Sequence, residues 1–404
     1  MGAARSAQQG VTQGTQSKED TSWRRWLEFL RACELADNVF LEGFEPLEKQ
    51  RLLGAFAHAV RSGRYSKSTR KRADGSRGPL AASSCKTAVE NVAKAFLESG
   101  QPDPRKHADG AKSLLLDRQF KGYANVDPVG GHQKAIPLKL ITDMVKRPAT
   151  DPALITFHQL FLLAFFFALR SCEYLKVAGP PRRTLPLTKA SFVFIKNHRI
   201  LPHSSPDLHL ADSVSAYFDR QKRETRGDQV TQSRTGHPLL CPVVVAATVV
   251  RRLEAMGASD DTQVYTYVNE QGRRKILTGA YALSVLRDYM KKIDPSYNLP
   301  AKDIGLHSVR ASAAMAMYLN DIPVYTIMLI GRWSSDAFLR YIRPQVADFS
   351  RGVAKAMIKN SDYYHVPDSA PRDDPRAHNP NATTATQGMG SSRRTNLTAF
   401  KVWS

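Results

Sequence analysis

Gly331-Arg332-Trp333-Ser334-Ser335-Asp336-Ala337-Phe338-Leu339-Arg340-Tyr341-Ile342-Arg343 places a tryptophan eight positions ahead of a tyrosine. If the segment is helical, the two lie about two turns apart. Arg340 and Arg343 flank the tyrosine and give a phenol there the positive potential that a phosphate seeks. None of Tyr318, Tyr325, Tyr363 and Tyr364 follows the tryptophan at helical distance, so Tyr341 is the candidate nucleophile.

Working back along the chain, Gly305-Leu306-His307-Ser308-Val309-Arg310 sets a histidine and an arginine three positions apart, on one helical face. Earlier still, Ala168-Leu169-Arg170-Ser171-Cys172-Glu173 ends an apolar run with an arginine and, three positions on, a carboxylate able to orient it. Taken singly, each has a structural explanation: a surface ion pair, a satisfied core histidine, an anchoring tryptophan. Together they are the groups that attack on a phosphodiester needs. Arginine forks neutralise the non-bridging oxygens most strongly in the transition state. A histidine accepts the phenol proton, and a tyrosine stores the bond energy as a covalent intermediate.

The elements around these boxes define the fold class. Helices are expected at 137–146 and 151–169, strands at 191–195, 212–218 and 229–232, and helices again at 242–256, 277–293, 307–320, 324–330 and 346–358. Helices, a small sheet, then helices make an α+β domain rather than a parallel α/β sheet. The first half reads as all-helical, with a helix beginning near Trp23 and others at 46–60, 83–98 and 112–123. We therefore expect a disordered arm at 1–20, a helical unit at 21–124, a linker at 125–134, a second domain at 135–360 and a disordered tail at 361–404.

The 404 residues carry 58 Lys and Arg against 37 Asp and Glu, a formal net charge of +21. That excess calls for a polyanion, nucleic acid before an anionic membrane. Arg61, Arg64, Lys67, Arg70, Lys71 and Arg72 form a basic stretch that reads either as a solvated linker or as a phosphate-binding strap. Four scattered cysteines suggest neither a zinc site nor a disulfide framework, which fits a reducing, intracellular compartment. The apolar run 153–169 is broken by His158 and Gln159 and is too short to span a bilayer. The first thirty residues lack the apolar core of a signal peptide, and the myristoylation-like start Met1-Gly2 stands without a second anchoring signal. Phosphate-binding loops, dinucleotide fingerprints, zinc-protease and nucleophile-elbow motifs are absent from the sequence.

The boxes at Arg170, His307 to Arg310, Trp333 and Tyr341 resemble those of the tyrosine recombinase (lambda-integrase-like) family, over roughly residues 135–360. The 331–343 segment is similar above all to the recombinases of Crypton elements and DIRS-type retroelements, with Trp where many bacterial members have His. Ser312 departs from the glycine that many relatives carry two residues after the second-box arginine. The resemblance implies double-stranded DNA as substrate, a helical core-binding clamp ahead of the catalytic domain and a 3′-phosphotyrosyl intermediate on Tyr341. It also implies a homo-oligomer of four active sites on two DNA sites, no metal or nucleotide cofactor, and the nucleus as location if the source is eukaryotic. Catalytic roles fall to Arg170, His307, Arg310 and Trp333, with Glu173 supporting. A hairpin lysine is implied as general acid, and Lys222 is the best candidate, ahead of Lys189 and Lys196; Arg220 and Arg223 beside it suit DNA backbone. Three other readings stay open: a domesticated, catalytically silent DNA-binding protein, a type IB topoisomerase-like enzyme and an RNA-binding protein.

Overall fold

The computed structural model describes residues 10–65, 79–128, 133–179, 182, 184–219, 227–293, 295–297, 299–335 and 339. All belong to one compact unit that spans residues 1–346. The fold is α+β, and its apolar interior is divided between two separate clusters.

Four helices enclose the first: α1 (Gln13–Ala32), α2 (Pro46–Arg61), α3 (Ala82–Glu98) and α4 (Leu114–Val126). Their apolar faces meet around Trp26, Leu53, Phe56, Val92 and Phe96, all buried. The indole of Trp26 stacks edge-on against Phe56 at 5.3 Å and donates its N–H to the Val39 carbonyl at 3.0 Å, so its one polar atom is satisfied.

Two expectations are corrected in this unit. The arm expected over 1–20 is helical from Gln13, although this polar stretch has no apolar stripe. Thr12 caps the helix by accepting from the Thr15 N–H at 3.2 Å, and Asn91 and Lys94 of α3 hold Ser22 and Glu19 at 3.0 and 2.7 Å. Tertiary hydrogen bonds thus extend the helix beyond what periodicity reveals. Arg61, counted among the phosphate-binding cations, is buried and structural. Its guanidinium pairs with Asp127 at 2.7 Å, donates to the Leu80 carbonyl at 2.8 Å and lies 4.6 Å from the Tyr123 ring. Asp127 also accepts from the Ala82 N–H at 2.6 Å, and that bond, with Arg61, holds its carboxyl below the usual range. Arg64 is exposed, whereas Lys67, Arg70, Lys71 and Arg72 lie outside the described residues.

The second cluster is larger. It centres on α6 (Pro152–Phe166), which follows α5 (Leu138–Val145) and is capped by Asp151 through the Ala153 N–H at 2.9 Å. A short α7 (Ser171–Tyr174) leads into an antiparallel sheet of β1 (Phe192–Lys196), β2 (Arg199–Leu201), β3 (Ser213–Phe218) and β4 (Asp228–Ser233), in the order β2-β1-β3-β4. Alternate residues Phe192, Phe194, Val214, Ala216 and Val230 turn inward onto α8 (Pro242–Ala255) and α6. Beyond them come a small hairpin, β5 (Thr266–Val268) with β6 (Arg274–Ile276), and the helices α9 (Gly279–Met290), α10 (Ser308–Leu319) and α11 (Val324–Gly331). Strand β2 escapes sequence reading because the β1–β2 turn is made by Asn197 and His198, both at positive φ, without the glycine that usually announces such a turn. Among the described residues no helix is long and apolar enough to cross a membrane. The helix expected at 346–358 lies outside them.

Replacing Trp26 with Ala is expected to destabilise the protein by about 3–5 kcal/mol, as for other large aromatic truncations in a core. A urea titration that leaves the midpoint unchanged would contradict this packing.

Candidate active site

Chain reversal after α6 creates the site. The helix stops at Phe166, Ala168 takes a left-handed φ of 46°, and the carbonyls of Phe167 and Ala168 turn away from the helix axis. A side chain other than glycine in that region carries roughly 1–2 kcal/mol of strain. The freed carbonyls explain its persistence, since each accepts from an arginine of a distant segment: Arg310 donates to Ala168 and Arg332 to Phe167 at 3.3 Å.

Arg170 therefore does not sit on the end of the apolar helix, as its sequence context suggests. It is the N-cap of α7, and Glu173 folds back on it as the third residue of that helix. The Glu173 carboxylate has no exposure to solvent. It accepts from the Arg170 backbone N–H at 2.7 Å, from Arg170 Nη1 at 3.0 Å and from Arg332 Nη2 at 2.7 Å. The i, i+3 pair expected from sequence is present, with a second arginine added.

His307 is the N-cap of α10, and Arg310 lies one turn in. The start of α10 is sewn to residues 133–136, at the end of the expected linker 125–134 and just beyond it: the His307 N–H donates to Gln133 Oε1 at 2.9 Å, and the Ile136 N–H donates to Ser312 Oγ at 2.8 Å. Ser312, at the position where glycine is usual in the resembling family, thus makes a buried bond that glycine cannot. Arg310 is buried, donates to the Ala168 and Gly331 carbonyls and stacks its guanidinium 4.4 Å from the Trp333 ring. Trp333 itself rests directly on Gly331, where an added Cβ would collide with the indole. Arg170 Nη2 donates to the Arg332 carbonyl at 3.3 Å.

Arg170, Glu173, His307, Arg310 and Trp333 are thus assembled around one point by segments far apart in sequence. Its electrostatics are cationic. The His307 pKa is pushed down, first by the protein packed around a ring whose edge still reaches solvent, then by Arg310, Arg182 and Arg170. A neutral imidazole results at pH 7, free to accept a proton. Tyr341, Lys222, Arg220 and Arg223 lie outside the described residues. The strands on either side of the Lys222 segment are described: Phe218, ending β3, pairs with Asp228, opening β4. Both competing lysines are engaged in ion pairs. Lys189 is buried against Glu254 and Asp260 at 2.8 and 3.1 Å, and Lys196 pairs with Asp207 at 3.0 Å.

Sequence reasoning missed Arg332 and Arg182. Arg332 stands in plain view between Gly331 and Trp333, but one cation in a chain of 58 carries no mark of burial. Its left-handed φ of 52° and its place over the Phe218 ring, 3.7 Å from the centroid, arise only from the fold.

No family model matches the sequence, and no curated protein matches it significantly. Solved structures do resemble its chain path. A XerH site-specific recombinase bound to difH substrate in a pre-cleavage complex is similar at 12% identity and a TM-score of 0.43, covering 81% of this chain and 76% of that one. A Tn1549 transposon integrase in complex with transposon right end DNA has 10% identity and a TM-score of 0.42, over 77% and 87% of the two chains. A lambda integrase dimer bound to a COC′ core site has 13% identity and a TM-score of 0.42, over 83% and 90%.

Two outcomes are expected from this geometry. Because the His307 pKa is lower folded than unfolded, the unfolded chain binds the proton first, so stability falls as pH drops below about 6.5. Melting curves between pH 8 and 5 check this: the His307→Gln variant loses less than wild type, and identical slopes would contradict it. Gly331→Ala, by driving a methyl group into Trp333, is expected to cost about 1–3 kcal/mol and to perturb indole emission.

Proposed function

We propose that the chain is a tyrosine recombinase that cleaves and rejoins DNA strands through Tyr341. The observation that carries this reading is the convergence of Arg170, His307 and Arg310 on one cationic point, in the order and spacing of the resembling boxes, with Trp333 against Arg310 eight residues before the tyrosine. Tyr341 Oη attacks the scissile phosphorus, the bond to the 5′-oxygen breaks, and a 3′-phosphotyrosyl link remains beside a free 5′-hydroxyl. Attack by another strand's 5′-hydroxyl reverses the step. Arg170 and Arg310 neutralise the phosphate as charge builds in the transition state. His307 accepts the phenol proton, and Lys222, which in sequence lies between β3 and β4, delivers one to the leaving oxygen.

In this closed arrangement the indole covers the Arg310 guanidinium, so a bound phosphodiester meets Arg170 and His307 first and engages Arg310 as Trp333 shifts. The helical unit 21–124 serves as the other arm of a clamp on duplex DNA, and residues 135–360 as the catalytic domain. Its cations hold phosphates without reading sequence, which makes binding steeply salt-dependent. A tetramer on two DNA sites, an origin in a Crypton or DIRS-type element and nuclear action complete the reading. The segment around Trp333 is its support.

The test uses the full chain expressed in cells, with rapid denaturation and precipitation of protein-linked DNA followed by sequencing of the trapped ends. Wild type is expected to yield covalent adducts at discrete sites, and Tyr341→Phe none. Adducts that persist in Tyr341→Phe would overturn the assignment. DNA binding without adducts in wild type would favour a silent DNA-binding protein.

A further inference from the structure

We propose that Arg332 is a positioning residue that locks the phosphate-facing arginines to the base of the β3–β4 hairpin, an inference that rests on the functional reading above. Four observations meet at this residue. First, Arg332 occupies the left-handed position that ends α11, with φ 52°, a slot that helices usually fill with glycine or asparagine. An arginine is unfavourable there on backbone grounds, so its side chain supplies the compensating contacts.

Second, that side chain is 4% exposed, too closed to reach DNA, and donates to Glu173 at 2.7 Å and to the Phe167 carbonyl at 3.3 Å. Third, its guanidinium lies over Phe218, 3.7 Å from the ring centroid. Phe218 is the last residue of β3 and pairs with Asp228, so Arg332 grips the β3–β4 pair at the end where the sequence between the strands contains Lys222. Fourth, the carbonyls of Gly331 and Arg332 each hold one of the two site arginines: Arg310 donates to Gly331, and Arg170 to Arg332 at 3.3 Å.

One residue thus joins three segments that must be in register for in-line attack. Through Glu173 it sets Arg170, through its own turn it sets Arg310, and through Phe218 it sets the hairpin. Lysine cannot replace it fully, because a planar fork is needed to reach a carboxylate and a carbonyl while stacking on a ring. Arg332 acts through its neighbours and touches no reacting atom.

The test compares wild type, Arg332→Gly and Arg332→Lys as full-length proteins. Glycine accepts the left-handed turn, so Arg332→Gly removes the side chain without disturbing the backbone it leaves. Two readouts are taken. On a nicked suicide duplex built from a trapped site, the single-turnover rate of adduct formation is expected to fall about 100-fold in Arg332→Gly. DNA affinity should stay within about twofold of wild type, since the clamp's cations are untouched, and Arg332→Lys should recover part of the rate.

Hydrogen exchange is read on the same proteins without DNA. Protection is expected to drop together at residues 170–174 and at the hairpin base around Phe218 and Asp228, with the core around Trp26 unchanged. An unchanged cleavage rate, a loss of rate matched by equal loss of DNA binding, or exchange that rises only at residues 331–335 would overturn the lock. Should wild type form no adduct, the functional reading fails, and exchange alone decides the lock: joint loss at both distant segments upholds it, and loss confined to the turn overturns it.

Discussion

A carboxylate with no access to water organises the second half of the molecule. Desolvating Glu173 is tolerable only if cations and N–H groups surround it, and the chain supplies them from two directions: Arg170, three residues before, and Arg332, 159 residues after. Because both guanidiniums must lie within hydrogen-bonding distance of one group, the short helix α7 and the end of α11 cannot drift apart. The strained backbone at Ala168 and Arg332 follows from that requirement. Each left-handed residue turns a carbonyl or a side chain toward the cluster, and the arginine bonds it permits offset its conformational cost.

The same constraint explains how a cationic site stays assembled. Arg170, Arg310 and Arg332 repel one another at short range, and Glu173 alone does not balance three positive charges. Backbone dipoles add to it: the carbonyls of Phe167, Ala168, Gly331 and Arg332 accept from the guanidinium groups. Partial charges fixed by backbone geometry cannot swing away as a carboxylate side chain can. The positive potential of Arg310, Arg182 and Arg170 adds to burial, the larger cause, in depressing the His307 pKa.

Legibility in the sequence followed the range of the interactions. Helices α2, α3, α6, α8 and α10 were expected within a few residues of their ends, because an apolar stripe is a local signal. The first half of α1 was not, since its support comes from Asn91 and Lys94 on another helix. Strands β2, β5 and β6 are three residues each, too short for alternation to show. In the site, spacing and resemblance single out Arg170, Glu173, His307, Arg310 and Trp333; the fold pairs Arg170 with Glu173 and Arg310 with Trp333 and brings His307 within electrostatic reach of both arginines. Arg332 was not named, because a buried arginine and an exposed one are the same letter until the fold separates them.

That separation changes the meaning of the charge excess. Counterion release counts only cations that reach phosphates, and several of the arginines do not. Arg61 is sealed between Asp127 and the Leu80 carbonyl. Arg252 is half-buried, bonded to the Gln159 amide oxygen at 2.8 Å and the Val264 carbonyl at 2.7 Å, and its pKa is pushed down to about 10 by the protein around it. Arg332 is closed under Phe218 and Glu173. Each is a cross-link rather than a DNA contact, and each was included in the net charge of +21. A basic composition therefore indicates a polyanionic partner without measuring the footprint on it. Of these three arginines, Arg61 and Arg252 brace parts of the fold away from Arg170 and Arg310, whereas Arg332 is tied to that pair through Glu173 and through the carbonyls of its own turn.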